Sequence, residues 1–144
     1  NIAKFDNEGY KSGVDSGEFS VVHGYSGDLW QVMQGNKKVA VVIPEEGVSA
    51  SCDEMVVPKG APHAALAHQM INFLLDGKNA AENMQGIGYL CPNSAAMKLV
   101  DRDFLDNPAV TIPAEVRAKS EVIQDVGDDL RKYTKVWDEV KAAR

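Results

Sequence analysis

The chain has 144 residues and a mass of 15.6 kDa, the size of one domain or of two small lobes. Apolar residues make up 44% and charged residues 25%, which excludes a disordered or collagen-like chain. The net charge of −6 argues against nucleic acid as a partner, because nucleic-acid binding needs a basic surface. The longest apolar run, residues 39–43, is far shorter than the ~20 residues that cross a bilayer.

The first residues, from Asn1 to Phe5, contain no Met, no basic region and no apolar stretch. This pattern is neither a natural start nor a signal peptide. We therefore expect the chain to be a mature, processed protein or a fragment of a longer one.

Three β-branched stretches predict strands, at residues 19–25, 37–43 and 52–57. The continuous apolar run in the second is typical of a strand buried on both faces of an α/β sheet. A short strand is expected at residues 122–123, whereas residues 45–51 have the composition of a loop or a short extended link.

Helical patterns follow the strands. Residues 6–18 predict a short exposed helix or turn, and the other helices are expected at residues 29–34, 62–76, 79–85, 92–99 and 128–143. The helix at 62–76 places one set of apolar residues on a single face: Ala64, Ala67, Ile71, Leu74 and Leu75. Residues 101–119 are charged and broken by prolines, which predicts a surface excursion. This order indicates an α/β fold with a sheet too thin to be complete.

A catalytic site is one interpretation of the sequence. Cys52, Asp53 and His63 are the ingredients of a thiol nucleophile with its base. A simpler interpretation makes Cys52 a small buried or bridged residue, and His63 a surface residue near a helix start. Motifs for metals, phosphates and dinucleotides are lacking, so no cofactor is expected.

A second group of residues is suited to binding. Residues 25–28 follow a predicted strand, residues 51–53 enter another, and Tyr89 ends a helix. Ligands of open α/β sheets bind outside the carboxyl ends of strands, and aromatic faces with carboxylates suit an organic cation. Taken singly, Tyr25 and Tyr89 could be half-buried packing residues and Asp28 a helix cap.

Several motifs occur in an order that is characteristic of one family. They are Tyr25-Ser26-Gly27-Asp28, Ile43-Pro44-Glu45-Glu46-Gly47, Asp53 with Met55-Val56-Val57-Pro58, Ile71-Asn72-Phe73-Leu74-Leu75-Asp76, Ile87-Gly88-Tyr89 with Pro92-Asn93, and Asp125-Val126-Gly127. This order resembles that of the extracytoplasmic polyamine-binding receptors of ABC importers. The resemblance extends from about residue 19 to the end of the chain.

The resemblance implies the C-terminal part of a two-lobe periplasmic-binding-protein fold of type II. Residues 1–51 would belong to the second lobe, residues 52–100 would cross into the first lobe, and residues 101–144 would return to the second. The N-terminal half of the receptor would be absent, which explains the thin sheet. A companion chain with that half, or self-association, would cover the unpaired strand edges.

The implied function is the capture of a small organic cation, such as putrescine or spermidine, in the cleft between the lobes. The receptor would deliver it to an ABC permease without catalysis. It would be periplasmic or otherwise extracytoplasmic, as a lipoprotein or a secreted protein. The alternatives are a related receptor for another small solute and a Cys-dependent hydrolase that uses Cys52 and His63.

The resemblance also assigns site residues. Asp53 matches the acid that holds an ammonium group, Tyr25 an aromatic that stacks on polyamine methylenes, and Tyr89 a tyrosine that faces the cleft. Ser51 departs from the family, which usually has an aromatic there. Gln124 matches a polar cleft residue before the Asp-Val-Gly motif.

The resemblance places the two cysteines, Cys52 and Cys91, near the cleft wall of the first lobe. An oxidising compartment permits a disulfide between them. We expect this bridge, with two buried thiols as the alternative.

Overall fold

The computed structural model describes residues 2–143. Positions 1 and 144, which begin and end the predicted lobe segments, lie outside the described residues. Within the described residues the helices are α1 (Tyr10–Ser16), α2 (Ser26–Gly35), α3 (Ala64–Leu75), α4 (Gly77–Ile87), α5 (Arg102–Leu105), α6 (Ala114–Arg117) and α7 (Leu130–Ala142). The strands are β1 (Ser49–Ala50) and β2 (Glu121–Val122). Two 3-10 turns lie at Ala96–Lys98 and Gly127–Asp129. The predicted helix at 92–99 is therefore only a short turn.

Helix α4 has well-defined ends. The Asp76 carboxylate accepts hydrogen bonds from the backbone N–H groups of Lys78 and Asn79, at 3.1 and 3.3 Å. These N–H groups have no partner inside the helix, so the cap stabilises its start. Gly88 ends the helix in the left-handed conformation, with φ of +80°. Gly86 does not break α4, contrary to the prediction that placed its end at residue 85.

The hydrophobic core lies on one face of α4. Its members are Ala80, Ala81, Met84, Ala96, Val100, Phe104 and Val110. The half-buried Trp30 of α2 packs against this cluster, with its ring edge-on to Phe104 at a centroid distance of 5.3 Å. The core therefore joins α2, α4 and α5.

Residues 101–119 are a surface excursion only in part, because residues 104–110 enter the core whereas residues 111–119 contain no buried residue. Phe104 and Val110 are each 7% exposed and Ala109 is 1% exposed. The chain turns back at Asn107, whose side chain accepts a hydrogen bond from the N–H of Ala109 at 2.9 Å. This turn carries the apolar residues into the core while the charged ones stay in solvent.

The sheet of the described chain is one small parallel ladder. It pairs Ser49 with Glu121 and Ala50 with Val122. The strand expected at 122–123 is thus present one residue earlier, and β1 lies within residues 45–51, where the sequence predicts a loop or a short extended link. Gly47 adjoins the ladder with φ of +117°, and a Cβ there would lie 2.7 Å from the Lys119 carbonyl oxygen. Only glycine fits this position.

The three longer predicted strands, at 19–25, 37–43 and 52–57, do not form a ladder within residues 2–143. Val21 and Val42 are 89% and 83% exposed, although strand residues of this kind are usually covered. The prediction of sheet strands is therefore wrong for the described chain. The physical reason is that a strand needs a neighbour to accept its N–H groups, and no other segment of the described chain pairs with these stretches in a ladder.

Helices α3 and α7 also have open faces. The predicted inner face of α3 is half-buried at Ala64, Ala67, Ile71 and Leu74, whereas Leu75 is 45% exposed, contrary to the prediction. No residue of α3 is fully buried, and the same holds for the described residues of α7. Both helices thus form close to where the sequence predicts them, without full cover.

Candidate functional site

The candidate site is built around Asp28, in the first turn of α2. The Tyr10 hydroxyl donates a hydrogen bond of 2.5 Å to Oδ2 of Asp28, and the Lys11 Nζ lies 3.5 Å from Oδ1. A carboxylate in this turn is favoured, because the N-terminus of a helix carries partial positive charge. We call Tyr10, Lys11, Asp28 and Tyr89 the Asp28 cluster. Asp28 is thus held by side chains of α1, and no side-chain cap is formed at α2.

Tyr10 is the buried member of the Asp28 cluster. It is only 5% exposed, and its hydroxyl oxygen also accepts a hydrogen bond from the Tyr25 N–H at 3.4 Å. Its ring lies against Gly24, where a Cβ would come within 2.3 Å of it. Burial and the hydrogen bond to Asp28 raise the pKa of Tyr10, so the phenol is neutral at physiological pH.

Sequence reasoning missed Tyr10. It lies in a polar stretch that predicted only an exposed helix or turn, and fifteen positions separate it from Tyr25. Gly24 is a local sequence feature that is compatible with this packing, because a residue without a Cβ permits an aromatic ring to approach the backbone closely.

Tyr89 reaches the cluster from the end of α4. Its ring packs on Gly27, where a Cβ would lie 2.2 Å from a ring carbon. Burial raises the pKa of Tyr89, and the negative charges of Asp28 and Asp53 act in the same direction. Of the predicted site residues, Tyr89 thus lies against α2 beside Asp28, and Asp53 acts on it through its charge alone.

The other predicted site residues are on exposed segments. Tyr25 directly precedes α2 and is 58% exposed, with only its backbone tied to Tyr10. Asp53 is exposed in the extended segment after β1. Ser51 and Gln124, both exposed, follow the carboxyl ends of β1 and β2. Because these strands are parallel, both residues leave the same end of the ladder.

The structure does not contain the expected disulfide. Cys52 and Cys91 are both free. Cys91 packs against the hydrophobic core, whereas Cys52 is exposed in the segment after β1, so the two thiols lie in different surroundings. The expectation that Cys52 is buried or bridged is wrong for the same reason.

The hydrogen bonds of Cys52 do not support the alternative of a hydrolase that uses Cys52 and His63. The Cys52 Sγ lies 3.8 Å from the backbone carbonyl of Asp53, and His63 directly precedes α3. The described hydrogen bonds of Cys52 thus involve its chain neighbour rather than an imidazole. Within residues 2–143, no group of three or more His, Cys, Asp or Glu side chains is arranged to hold a metal ion.

The arrangement suits recognition of an organic cation. The Tyr89 ring packs on Gly27, next to the Asp28 carboxylate, and the exposed Tyr25 directly precedes α2. An ammonium group pairs with a carboxylate, and its methylene chain packs on aromatic faces. A groove also runs along α7, but its lining residues, from Leu130 to Ala142, include none of the Asp28 cluster.

Comparison with known proteins identifies the family. A model of bacterial extracellular solute-binding proteins matches residues 4–112, and the chain belongs to this family. The α/β fold class, part of a two-lobe type II periplasmic-binding-protein fold, is thereby confirmed. Within the described residues, no helix combines the length and apolar character that spanning a membrane requires.

Named relatives narrow the comparison. The chain is 32% identical to the putrescine/cadaverine-binding protein of Pseudomonas aeruginosa, an alignment that covers 96% of this chain and 41% of that protein. It is also 32% identical to the putrescine-binding periplasmic protein PotF of Escherichia coli, and that alignment covers 100% of this chain and 41% of PotF. A spermidine/putrescine-binding periplasmic protein of Haemophilus influenzae is 28% identical, and its alignment covers 100% of this chain and 40% of that protein.

These relatives confirm the resemblance to polyamine-binding receptors. By their names they are binding proteins rather than enzymes. The chain spans about two fifths of their length.

Proposed function

We propose that this chain is part of a solute-binding receptor of an ABC importer, periplasmic or otherwise extracytoplasmic. The receptor captures a small organic cation such as putrescine or spermidine and delivers it to a permease. The observation that carries this proposal is the Asp28 carboxylate, which Tyr10 and Lys11 hold beside the point where the Tyr89 ring packs on Gly27. The names of the relatives supply the class of ligand.

Each site residue has a role in this proposal. Asp53 and Asp28 pair with ammonium groups, and the rings of Tyr25 and Tyr89 pack on the methylenes between them. Ser51 and Gln124 add hydrogen bonds from the same end of the β1–β2 ladder. Closure of a second wall over the ligand would exclude water and strengthen every charge pair.

The division into lobes is part of the proposal. The β1–β2 ladder joins positions 49–50 to positions 121–122, which supports grouping residues 1–51 with residues 101–144 as the second lobe. Residues 52–100 would supply the first lobe. The core contains Val100 and Phe104 together, so the proposed boundary at position 100 does not coincide with a break in the packing.

The exposed apolar faces support a further partner for the chain. Leu66, Met70 and Phe73 share one side of α3 at helical spacing and are 55–63% exposed. A contiguous apolar surface of this kind usually marks a contact with another polypeptide. We propose that the N-terminal half of the receptor, or failing that a second copy of this chain, covers it.

Isothermal titration of the full-length protein with putrescine and with spermidine tests the proposed function. Asp53→Asn should weaken binding about thirtyfold, the loss expected for one charge-assisted hydrogen bond. Glu54→Gln is the matched control, because this neighbouring acid is also exposed and should change the dissociation constant less than about twofold. An unchanged affinity in Asp53→Asn would remove Asp53 from the site, and a wild-type protein that binds neither polyamine would refute the proposed function.

A receptor for a different small solute is the second candidate. It is favoured by Ser51, which stands where the family usually has an aromatic. We propose no catalytic role for Cys52 and His63, because the Cys52 thiol contacts its neighbour's carbonyl group. Alkylation of the cysteines that leaves ligand binding intact would support binding over thiol catalysis.

A further inference from the structure

We propose that Lys11 is an internal competitor of the ligand, whose ammonium group occupies the place on Asp28 that a ligand ammonium takes over. This inference rests on the proposed function and adds an affinity-setting residue to it. Lys11 is the second residue of α1, and its Nζ lies 3.5 Å from Oδ1 of Asp28. A lysine side chain ends in a primary ammonium on a methylene chain, which is also the chemistry of a polyamine terminus.

The two oxygen atoms of Asp28 have different partners. Oδ2 accepts the hydrogen bond from Tyr10, whose side chain is buried and fixed against Gly24. Oδ1 faces Lys11, whose side chain is 41% exposed, while that of Asp28 is 24% exposed. Tyr10 therefore holds the carboxylate in place whether or not Lys11 is paired with it.

Lys11 is able to leave its position at little cost. A partly exposed lysine keeps its ammonium in water when it swings away, and exposed ion pairs contribute little to stability. A ligand ammonium that pairs with Oδ1 of Asp28 has to displace this positive charge. Binding therefore requires an exchange of one ammonium for another, and the net gain at Asp28 is smaller than at an unpaired carboxylate.

The experiment compares two variants of the full-length protein by isothermal titration with putrescine at 0.15 M salt. Lys11→Met keeps the aliphatic stem and removes the competing ammonium, so the affinity should rise about two- to fivefold. Lys37→Met is the control. It removes the same charge from the end of α2, where the Lys37 ammonium bonds the Met33 carbonyl at 3.1 Å and not Asp28. It should change the affinity by much less, because screening weakens remote charges.

A third variant separates competition from mere charge. Lys11→Arg retains the charge and offers a planar fork that fits a carboxylate, so it should hold Asp28 at least as firmly and leave the affinity equal to wild type or lower. Thermal unfolding of each variant shows whether the fold is retained.

The outcomes distinguish the two proposals. If wild type binds putrescine and Lys11→Met binds no tighter than Lys37→Met, the competitor role of Lys11 is wrong while the proposed function stands. Weaker binding by Lys11→Met would assign Lys11 to support of the site instead and would also overturn the inference. If wild type does not bind putrescine, the proposed function fails first, and the inference fails with it.

Discussion

Helices α4 and α7 have similar lengths, 11 and 13 residues, but very different surroundings. Helix α4 buries Ala80, Ala81 and Met84 in the core. Helix α7 carries larger apolar side chains along one side, yet all of them remain open to solvent. They are Leu130, Tyr133, Val136 and Trp137, between 45% and 63% exposed.

The difference shows that the apolar pattern of a helix predicts which side will be buried and does not predict what buries it. Small residues on α4 permit close approach of the 96–110 segment, which forms the core. On α7, the contacts of Trp137 are an edge-on contact with Phe5 at 5.3 Å and the Lys141 ammonium at 5.8 Å from its ring centroid. Such contacts contribute about 0.5–1.5 kcal/mol and do not replace a core.

Truncation of one apolar residue in each helix should give the largest contrast. Met84→Ala should lower the free energy of unfolding by about 3 kcal/mol, because Met84 is 1% exposed and the substitution leaves a cavity. Trp137→Ala should cost about 1 kcal/mol, although it deletes more atoms. Urea unfolding of this chain measures both. Equal losses would mean that α7 is as well packed as α4.

Two glycines of α2 test how closely the Asp28 cluster is packed. Gly27→Ala should cost about 2–3 kcal/mol and weaken ligand binding, because its Cβ would lie 2.2 Å from the Tyr89 ring. Gly35→Ala is the matched control, since nothing lies within 4 Å of its Cβ position. It should be neutral or stabilise the helix by up to about 1 kcal/mol. A neutral Gly27→Ala would show that the Tyr89 ring is not held against α2.

Tyr10→Phe removes the hydroxyl that holds Asp28. We expect a loss of about 1.5 kcal/mol at neutral pH, as for other hydrogen bonds to a charged group. The pKa of Tyr10 is raised in the folded state, so this stability is present below the ordinary tyrosine pKa of about 10 and is lost as the pH rises above it. Urea unfolding at pH 7 to 11 should therefore show the two proteins converging at high pH. A difference that is constant with pH would contradict this.

Removing a surface charge pair should have the smallest effect on the free energy of unfolding. The effect should be the same in α4 and α7. Each helix has a Lys–Glu pair four residues apart, Lys78–Glu82 at 4.0 Å in α4 and Lys135–Glu139 at 3.9 Å in α7. Glu82→Gln and Glu139→Gln should both change the free energy of unfolding by less than about 0.5 kcal/mol. If only one of them mattered, the helices would differ in electrostatics and not only in burial.

Local patterns in the sequence predicted most helices, because their signals are local. The proline and glycine that frame α3 and α4, and the periodic apolar residues of α7, depend only on neighbouring positions. The strands at 37–43 and 52–57 have equally clear patterns but form no ladder in the described chain. A strand depends on a distant partner, so its pattern alone cannot decide the outcome.

The candidate site was predictable in part. Asp28, Asp53 and Tyr89 were selected from the sequence, and the structure packs the Tyr89 ring against α2 at Gly27, next to Asp28. Tyr10 and Lys11 could not be selected, because their link to Asp28 spans 17 or 18 positions and depends on how α1 packs against α2. The binding roles of all these residues, and those of Tyr25, Ser51 and Gln124, remain predictions.

The β1–β2 ladder has a consequence for how the chain folds. Its flanking hydrogen bond, from the Val48 N–H to the Ser120 hydroxyl, joins residues 72 positions apart. Closing so long a loop has a large entropic cost, and four paired residues give little in return. The ladder should therefore form only after α4 and its neighbours have packed together. It should also be among the first parts of the chain to open in local unfolding.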